Sequence, residues 1–482
     1  MAFIRKVKTA SGATAVQVAH KQYGRIVKIE HIGSAHTNEE LKLLISLAKE
    51  KMQGNQRSLF DEAESEVVIG LRQSYSALLL DILSKQYNGL GFDQLQDLDF
   101  AYLCIARLVE PTSKLDSLRV LADLGVTTTS RDRLYDCLSR VIKKNYRTQV
   151  AKLCFTHASK NGISLLLYDV TTLYFEIQKE DEFRKPGLSK ERRLEPQIIV
   201  GLLVDQNGFP LSVNSFEGNR AETKTILPII NAFKKEHRLT DITIVADAAM
   251  LSSDNLKALS QAGYHYIVGS RLQKIPYDIA EYQKAGEKLS DNQIITTQLD
   301  GQRIIYQYRE KRAELDRKNI EKQIGKATKI INNRLAANKA KFLTIKAKEK
   351  KLNQTLIDKA YALAGIKGYV TNLNVAGEEV IRYYHQLFNV EASFRMAKSD
   401  LRARPIFHHK QEAIEAHLTI VLVALAVGRT IEHLSGMSLK HFVRILRPIR
   451  SGIVIINGKE YQAKAVIPPS IISLLKKLEA GH

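Results

Sequence analysis

The strongest constraint on the fold is a short apolar run, residues 165–175, that carries Asp169. An unbroken apolar run bounded by polar residues is typical of a strand buried on both faces of an α/β sheet. Ligands of such sheets bind at the open ends of the strands. The pattern therefore predicts an α/β fold with Asp169 at an open strand end, where a metal-holding carboxylate would lie.

A second apolar run, residues 242–247, also delivers an aspartate, Asp247, and is followed by a helix cap at Ser252 or Ser253. An aspartate that closes a strand is more often a turn former or a cap than a catalytic group. Neither aspartate alone therefore identifies an active site.

A third segment, residues 378–401, lacks Gly and Pro and is predicted to form one helix. Tyr384, Glu391 and Lys398 are spaced seven apart, and seven residues at about 100° each turn about 700°, so the three share one face. Apolar residues on the other face can pack on a sheet: Leu387, Phe388, Val390 and Phe394. Taken alone, the segment fits an ordinary amphipathic core helix better than a catalytic one.

Together the three segments resemble the DDE transposases of bacterial insertion sequences. The matching stretches are "DVTT" with Asp169, "VADAAMLS" with Asp247, and "YHQLFNVEASFRMAK" with Glu391. The resemblance covers residues 165–427 and is to the branch whose third motif reads Tyr, Arg, Glu, Lys. Tyr384 and Lys398 occupy two further motif positions.

The arginine position of that motif is Leu387 in this chain. The contacts that the arginine makes in relatives would have to come from another residue, with Arg395 and Arg402 as candidates. Tyr384 is expected to orient Glu391 or the backbone, and Lys398 to contact a phosphate near the cut.

Cleavage of a phosphodiester can use two divalent cations about 3.5–4 Å apart, and hard cations such as Mg²⁺ prefer oxygen ligands. We expect Asp169 to bridge two Mg²⁺ ions, Asp247 to hold one and Glu391 the other, with Mn²⁺ able to substitute. Water would cut at the element's end, and the freed 3′-hydroxyl would attack target DNA. The chain has no Gly-rich triphosphate loop, so no ATP requirement is expected.

The chain has 482 residues and a net charge of +21, which favours double-stranded DNA as partner over a small acidic substrate. Three cysteines without paired spacing argue against disulfides and a zinc site. No stretch predicts a signal peptide or a membrane span. We expect a protein of the bacterial cytoplasm, associated with the nucleoid, that binds no membrane and acts as a homodimer on DNA, the dimer being implied by the resemblance alone.

Composition and pattern divide the chain into six parts. A small β unit, 1–33, precedes a helical region, 34–161, that is predicted to bind the DNA ends. The ribonuclease H-like core, 162–269 and 368–430, is interrupted by a basic insertion, 270–367, and followed by a tail, 431–482. Within the core, the expected order is three strands, helix, strand, helix, strand, with the first and fourth strands adjacent.

Several basic segments have two readings. Turn 125–129 indicates either a DNA-binding helix-turn-helix or plain bundle packing. Residues 309–351 look largely helical and carry 15 Lys or Arg against 5 Asp or Glu, a net +10, which fits either a solvated helix or a DNA clamp. DNA-binding residues are expected at Arg192, Arg193, Arg395, Arg402 and Arg404.

Related transposases often supply a tryptophan from this insertion to a flipped base, but this chain has no Trp. Tyr306 or Tyr308 could stack on the base instead, or the step does not occur. Two functions other than transposition remain open: a ribonuclease H-like nuclease without strand transfer, and a non-catalytic DNA-binding regulator derived from a transposase.

Overall fold

The computed structural model describes residues 2–9, 12–53, 69–176, 180–187, 195–239, 242–248, 252–270, 279–280, 288–299, 302–332, 340–346 and 349–479. At the N-terminus, strands β1 (Ala2–Lys8), β2 (Thr14–Gln22) and β3 (Arg25–Ala35) form an antiparallel sheet. Helix α1 (Asn38–Gln53) packs on one face of it through Leu44, which meets Val16 and Val18. Thr37 and Glu40 form a capping box at the start of α1, in which Glu40 N donates to Thr37 Oγ1 at 3.2 Å and Thr37 N to Glu40 Oε2 at 3.4 Å.

The next region contains β4 (Ile69–Tyr75), α2 (Ala77–Gly89), α3 (Leu98–Val109), α4 (Ser117–Asp123), α5 (Arg131–Lys143) and α6 (Tyr146–Ser159). A 3₁₀ turn, Phe92–Leu95, lies between α2 and α3. The helical interpretation of the region 34–161 is wrong for residues 69–75, where β4 is a strand. The three cysteines, Cys104, Cys137 and Cys154, are free and buried in this region, as small core residues.

Turn 125–129 joins α4 to α5, and the side chain of Ser130 caps α5 by accepting from Arg133 N. Two arginines of α5 that could have reached DNA are instead engaged within the bundle. Arg140 contacts Asp97 at 2.8 Å, and Arg133 contacts Asp99 at 3.2 Å. These contacts favour the bundle-packing reading of the turn for both side chains.

The core follows the predicted order: β5 (Leu165–Tyr174), β6 (Gln197–Val204), β7 (Pro210–Glu217), α7 (Ile226–His237), β8 (Thr243–Ala246), α8 (Ser253–Gln261) and β9 (His265–Ser270). Strands β5 and β8, the first and fourth, are parallel neighbours, with Tyr168 opposite Ala246. Nearly every residue of β5, β6 and β8 is buried, as the apolar runs predict. The α/β, ribonuclease H-like fold class is thus confirmed.

The insertion contributes β10 (Ile294–Leu299), β11 (Gln302–Tyr308), α9 (Glu310–Ile331), β12 (Leu343–Lys346), β13 (Glu349–Leu352) and α10 (Gln354–Ala362), before β14 (Ile366–Thr371). The central sheet has the order β10-β11-β14-β9-β8-β5-β6-β7, so part of the insertion extends it. The helical interpretation of 309–351 holds for α9 but is wrong for β12 and β13, which form a hairpin.

Neither tyrosine proposed for base stacking is accessible for it. Tyr306 is 5% exposed and Tyr308 is 9% exposed, both within the hydrophobic core. A base cannot stack on a ring whose faces are already covered by protein. That interpretation is wrong for this structure.

After β14 come α11 (Gly377–His385), α12 (Leu387–Arg395), a π-helical turn (Met396–Asp400) and α13 (Gln411–Ser435). The single helix expected over 378–401 is wrong, since a turn at Gln386 separates α11 from α12. Among the described helices, only α13 is long and apolar enough to cross a membrane. Its apolar window is 89% buried within the protein, as in a core helix, and α13 packs between the sheet and the helical region.

The tail contains α14 (Leu439–Leu446), β15 (Ser451–Ile456), β16 (Lys459–Ala463) and α15 (Pro469–Glu479). It is fastened to the helical region, because β15 pairs with β4 along its whole length. Buried Arg447 contacts Glu110 at 2.9 Å and Asp123 at 2.8 Å, and Arg450 contacts Asp123 at 2.7 Å. Charges this deeply buried are stable only when they are paired in this way.

Candidate active site

The two aspartates occupy neighbouring positions on the sheet. Asp169 and Asp247 each follow one member of the paired residues Tyr168 and Ala246, so the parallel pairing brings them side by side. The expectation that Asp169 lies at a strand end is wrong, because β5 continues to Tyr174. The strand that ends here is β8, at Ala246. Asp247, directly after that end, is exposed, and the neighbouring Asp169 is half-buried.

Both aspartates accept a hydrogen bond from the backbone N–H of the residue that follows them. The distance is 2.8 Å from Val170 N to Asp169 Oδ1 and 2.7 Å from Ala248 N to Asp247 Oδ1. Such a bond restricts the orientation of each carboxylate.

Glu391 lies on the exposed side of α12, the helix that packs across β5 and β6. Val390 and Phe394 bury the other side, and Leu387, at the motif's arginine position, is 8% exposed and serves packing. Within the described residues, Glu391 makes no hydrogen bond or ion pair. Its carboxylate is therefore available to a ligand.

Tyr384 of α11 is linked to Asp247, whereas the expected partner was Glu391 or the backbone. Its hydroxyl donates to Asp247 Oδ1 at 3.3 Å, and the side chain is 6% exposed. Burial, followed by the negative charge of Asp247, raises the pKa of Tyr384, so the phenol keeps its proton. The hydroxyl lies above Gly269, where a Cβ atom would come within 2.7 Å of it.

Lys367 of β14 is a site residue that the sequence analysis missed. Its ammonium nitrogen lies 4.3 Å from the centre of the Tyr384 ring and 5.5 Å from that of Tyr369. Burial lowers the pKa of Lys367, while the carboxylates of Asp247 and Glu391 act in the opposite direction. The available signal was the strand "IKGYV", whose alternation places Lys367 and Tyr369 on one face.

Residues 160–427, more than half of the chain, match the family model described as "Transposase DDE domain". The chain belongs to the DDE transposase family. The chain is also similar to the solved structure of a piggyBac transposase synaptic complex with hairpin DNA. That similarity has 12% identity and a TM-score of 0.42, and covers 77% of this chain and 76% of the other. Among curated protein sequences, none matches significantly.

In this transposase, the described residues contain no group of three His, Cys, Asp or Glu side chains that could hold a metal ion as they stand. The donor chemistry nevertheless fits a hard divalent cation, because exposed Asp247 and Glu391 and half-buried Asp169 offer carboxylate oxygens. The negative charges of Asp247 and Glu391 both favour the protonated forms of Lys367 and Tyr384 and so raise the pKa of each, against the effect of burial on Lys367.

The remaining motif residue of the transposase, Lys398, lies in the π-helical turn and is half-buried. It lines a small cavity together with Thr171, which alternation places on the same face of β5 as Asp169. Lys398 and Lys367 thus flank the aspartate pair from the β5 side and the β14 side respectively.

Of the predicted DNA-binding arginines, Arg395 and Arg402 are exposed and Arg404 is half-buried against the ring of Tyr174 at 5.5 Å. Arg192 and Arg193 lie outside the described residues.

The segment that carries Arg402 and Arg404 is held by the helical region. Arg107 donates to the carbonyls of Leu401 at 2.9 Å and Arg402 at 3.2 Å. His408, in the same segment, packs against the ring of His417, and burial lowers its pKa to about 4. His408 is therefore neutral at physiological pH and offers no charge to a phosphate.

Proposed function

We propose that this chain is an insertion-sequence transposase that cuts DNA at the ends of its element and joins them to target DNA. The observation that carries the proposal is the pairing of β5 with β8, which puts Asp169 and Asp247 side by side. Glu391, on the exposed side of α12, would complete the set as the third carboxylate.

Asp169, Asp247 and Glu391 would hold Mg²⁺ or, in its place, Mn²⁺. The bound metal would activate the attacking oxygen and stabilise the leaving one. The role of Tyr384 is to hold Asp247 in position through its hydroxyl. Lys398, in the turn beyond Glu391, would bind a phosphate near the cut.

DNA is the partner that the charge of the chain favours. The excess of 21 positive charges attracts a polyanion, and the affinity should fall steeply as salt rises. Arg395, Arg402 and Arg404 are suited to backbone phosphates near the site, and Arg192 and Arg193 would add to them. We propose that two copies hold the two ends in the cytoplasm, at the nucleoid.

The decisive experiment measures nicking of a labelled element end in Mg²⁺ by wild type and by Asp169→Asn, Asp247→Asn and Glu391→Gln. Each variant should lose at least about 10³-fold in rate while still shifting the DNA in a gel, because metal binding is lost and DNA binding is not. Asp254→Asn, on exposed α8, is the matched control and should cut normally.

Cleavage by Asp169→Asn at the wild-type rate would refute the proposal. Products joined to an unlabelled target duplex separate transposition from simple hydrolysis. A nuclease without strand transfer would give the cut and never the joined product, and a DNA-binding regulator would give neither.

A further inference from the structure

The site contains a cation that no motif assigns, Lys367. It is the second residue of β14, the strand that pairs with β9 on the Asp247 side of the sheet. Its side chain is half-buried, and the ring of Tyr384, 4.3 Å away, holds the ammonium beside the acids. The aromatic rings restrict the position of the Lys367 ammonium, whereas the ammonium of a surface lysine moves freely.

The ammonium of Lys367 has no direct carboxylate partner among the described residues. Asp247 and Glu391 act on its charge, yet no ion pair joins Lys367 to any carboxylate among the described residues. An ammonium that is partly desolvated without a paired oxygen is costly unless a ligand supplies one. The ligand of a DNA-cutting site supplies phosphate oxygens.

Lys367 and Lys398 lie on opposite flanks of the aspartate pair. The sheet order runs β14-β9-β8-β5, with Asp247 at the end of β8 and Asp169 on β5. Lys398 approaches from β5, beside Thr171, whereas Lys367 approaches from β14. A DNA strand that presents its scissile phosphate to the carboxylates therefore passes one lysine on each side.

We propose that Lys367 is a phosphate-binding residue that contacts the DNA backbone on the Asp247 side of the cut, opposite Lys398. This inference rests on the proposed function, since it needs DNA in the site. Lys367 would thus supply a positive charge that this chain lacks at the arginine position of the motif, which is Leu387.

The test removes the positive charge of Lys367, the negative charge of one phosphate, or both. Wild type and Lys367→Met are bound to a set of element ends that each carry one neutral methylphosphonate at a successive position around the cut. If Lys367 binds one phosphate, neutralising it should weaken wild-type binding about 10-fold and leave Lys367→Met binding unchanged. Lys367→Met should also reduce the slope of log affinity against log salt by about one, because one phosphate contact is lost.

Two further variants separate charge from packing. Lys234→Met removes another lysine that lies over a tyrosine ring, 4.4 Å from that of Tyr264, and that donates to the carbonyl of Ala262. Tyr264 precedes β9, at the end of that strand remote from Gly269, so this variant should change neither binding nor the salt slope. Lys367→Arg keeps the charge and should restore sensitivity to the same methylphosphonate even if Lys367→Met melts at a lower temperature.

The inference is overturned if the losses from Lys367→Met and from every methylphosphonate simply add, or if Lys367→Arg behaves like Lys367→Met. Wild type that neither cuts nor binds its ends would mean the failure of the proposed function itself. If wild type and Lys367→Met cut equally well, the role of Lys367 is refuted while the proposed function stands.

Discussion

Gly269→Ala should disturb the active site through one contact. The new methyl group would lie 2.7 Å from the hydroxyl of Tyr384 and 3.3 Å from Cβ of Ala248. A carbon and an oxygen that are not bonded prefer a separation of about 3.3–3.6 Å, so the hydroxyl must move by about 0.6 Å or more. Its hydrogen bond to Asp247 is already 3.3 Å long and does not survive that displacement.

The magnitude follows from two contributions. Overpacking costs about 1–3 kcal/mol of folding free energy. Loss of a hydrogen bond to a charged group costs about 1.5 kcal/mol at this long distance, near the low end of the range for such bonds. If the bond only positions Asp247, we expect cleavage to slow by about 10-fold, which corresponds to about 1.4 kcal/mol.

The assay is a double-mutant cycle between Gly269→Ala and Tyr384→Phe. Removal of the hydroxyl gives the methyl group room, so the double variant should be at least about 1 kcal/mol more stable to denaturant than the two single losses predict. Cleavage should follow the same pattern. Gly325→Ala, inside α9 with no atom within 4 Å of the new methyl, should raise stability slightly and leave cleavage unchanged.

The reasoning is refuted if the two changes add in both stability and cleavage. Equal loss of cleavage in Gly325→Ala would also refute it, since that variant cannot move Tyr384.

Three more predictions concern the buried polar groups. Arg447→Met should cost about 3–5 kcal/mol by urea denaturation, because it leaves the carboxylate of Asp123, 4% exposed, with only part of its counter-charge. His408 has a folded pKa of about 4, so only the unfolded chain takes up its proton between pH 6.5 and 4. Stability should therefore be full above pH 6.5 and fall on acidification towards pH 4, and denaturation of His408→Gln should show a shallower fall. Asp97→Ala should lower the free energy of unfolding by about 2–4 kcal/mol, since it removes both the cap of α3 and two contacts to Arg140.

The strands that carry Asp169 and Asp247 could be predicted because each is a local apolar run, and the order of elements then placed them together. The single helix over 378–401 could not have been corrected from the sequence, which has no Gly or Pro there. Helix α11, with Tyr384, contacts β8 and β9, whereas α12, with Val390, contacts β5 and β6. The turn at Gln386 lies between these two sets of contacts.

Lys367 and β4 were missed for the same physical reason. A strand pattern shows which residues share a face, but not that the ring of Tyr384 will cover one of them. The residues of β4 pair with β15, and Ser74 lies opposite Gly452, 378 positions later. Local propensity carries no information about a partner at that distance, so tertiary pairing decided the structure.

That pairing has a consequence for newly made protein. Asp123 is synthesised more than 300 residues before Arg447 and Arg450, which neutralise it, and β4 is synthesised well before β15. Contacts so distant along the chain form late and slow folding. Until Arg447, Arg450 and β15 have been synthesised, Asp123 lacks its counter-charges and β4 lacks its partner strand. The helical region can therefore complete its packing only after residues 447–456 have left the ribosome.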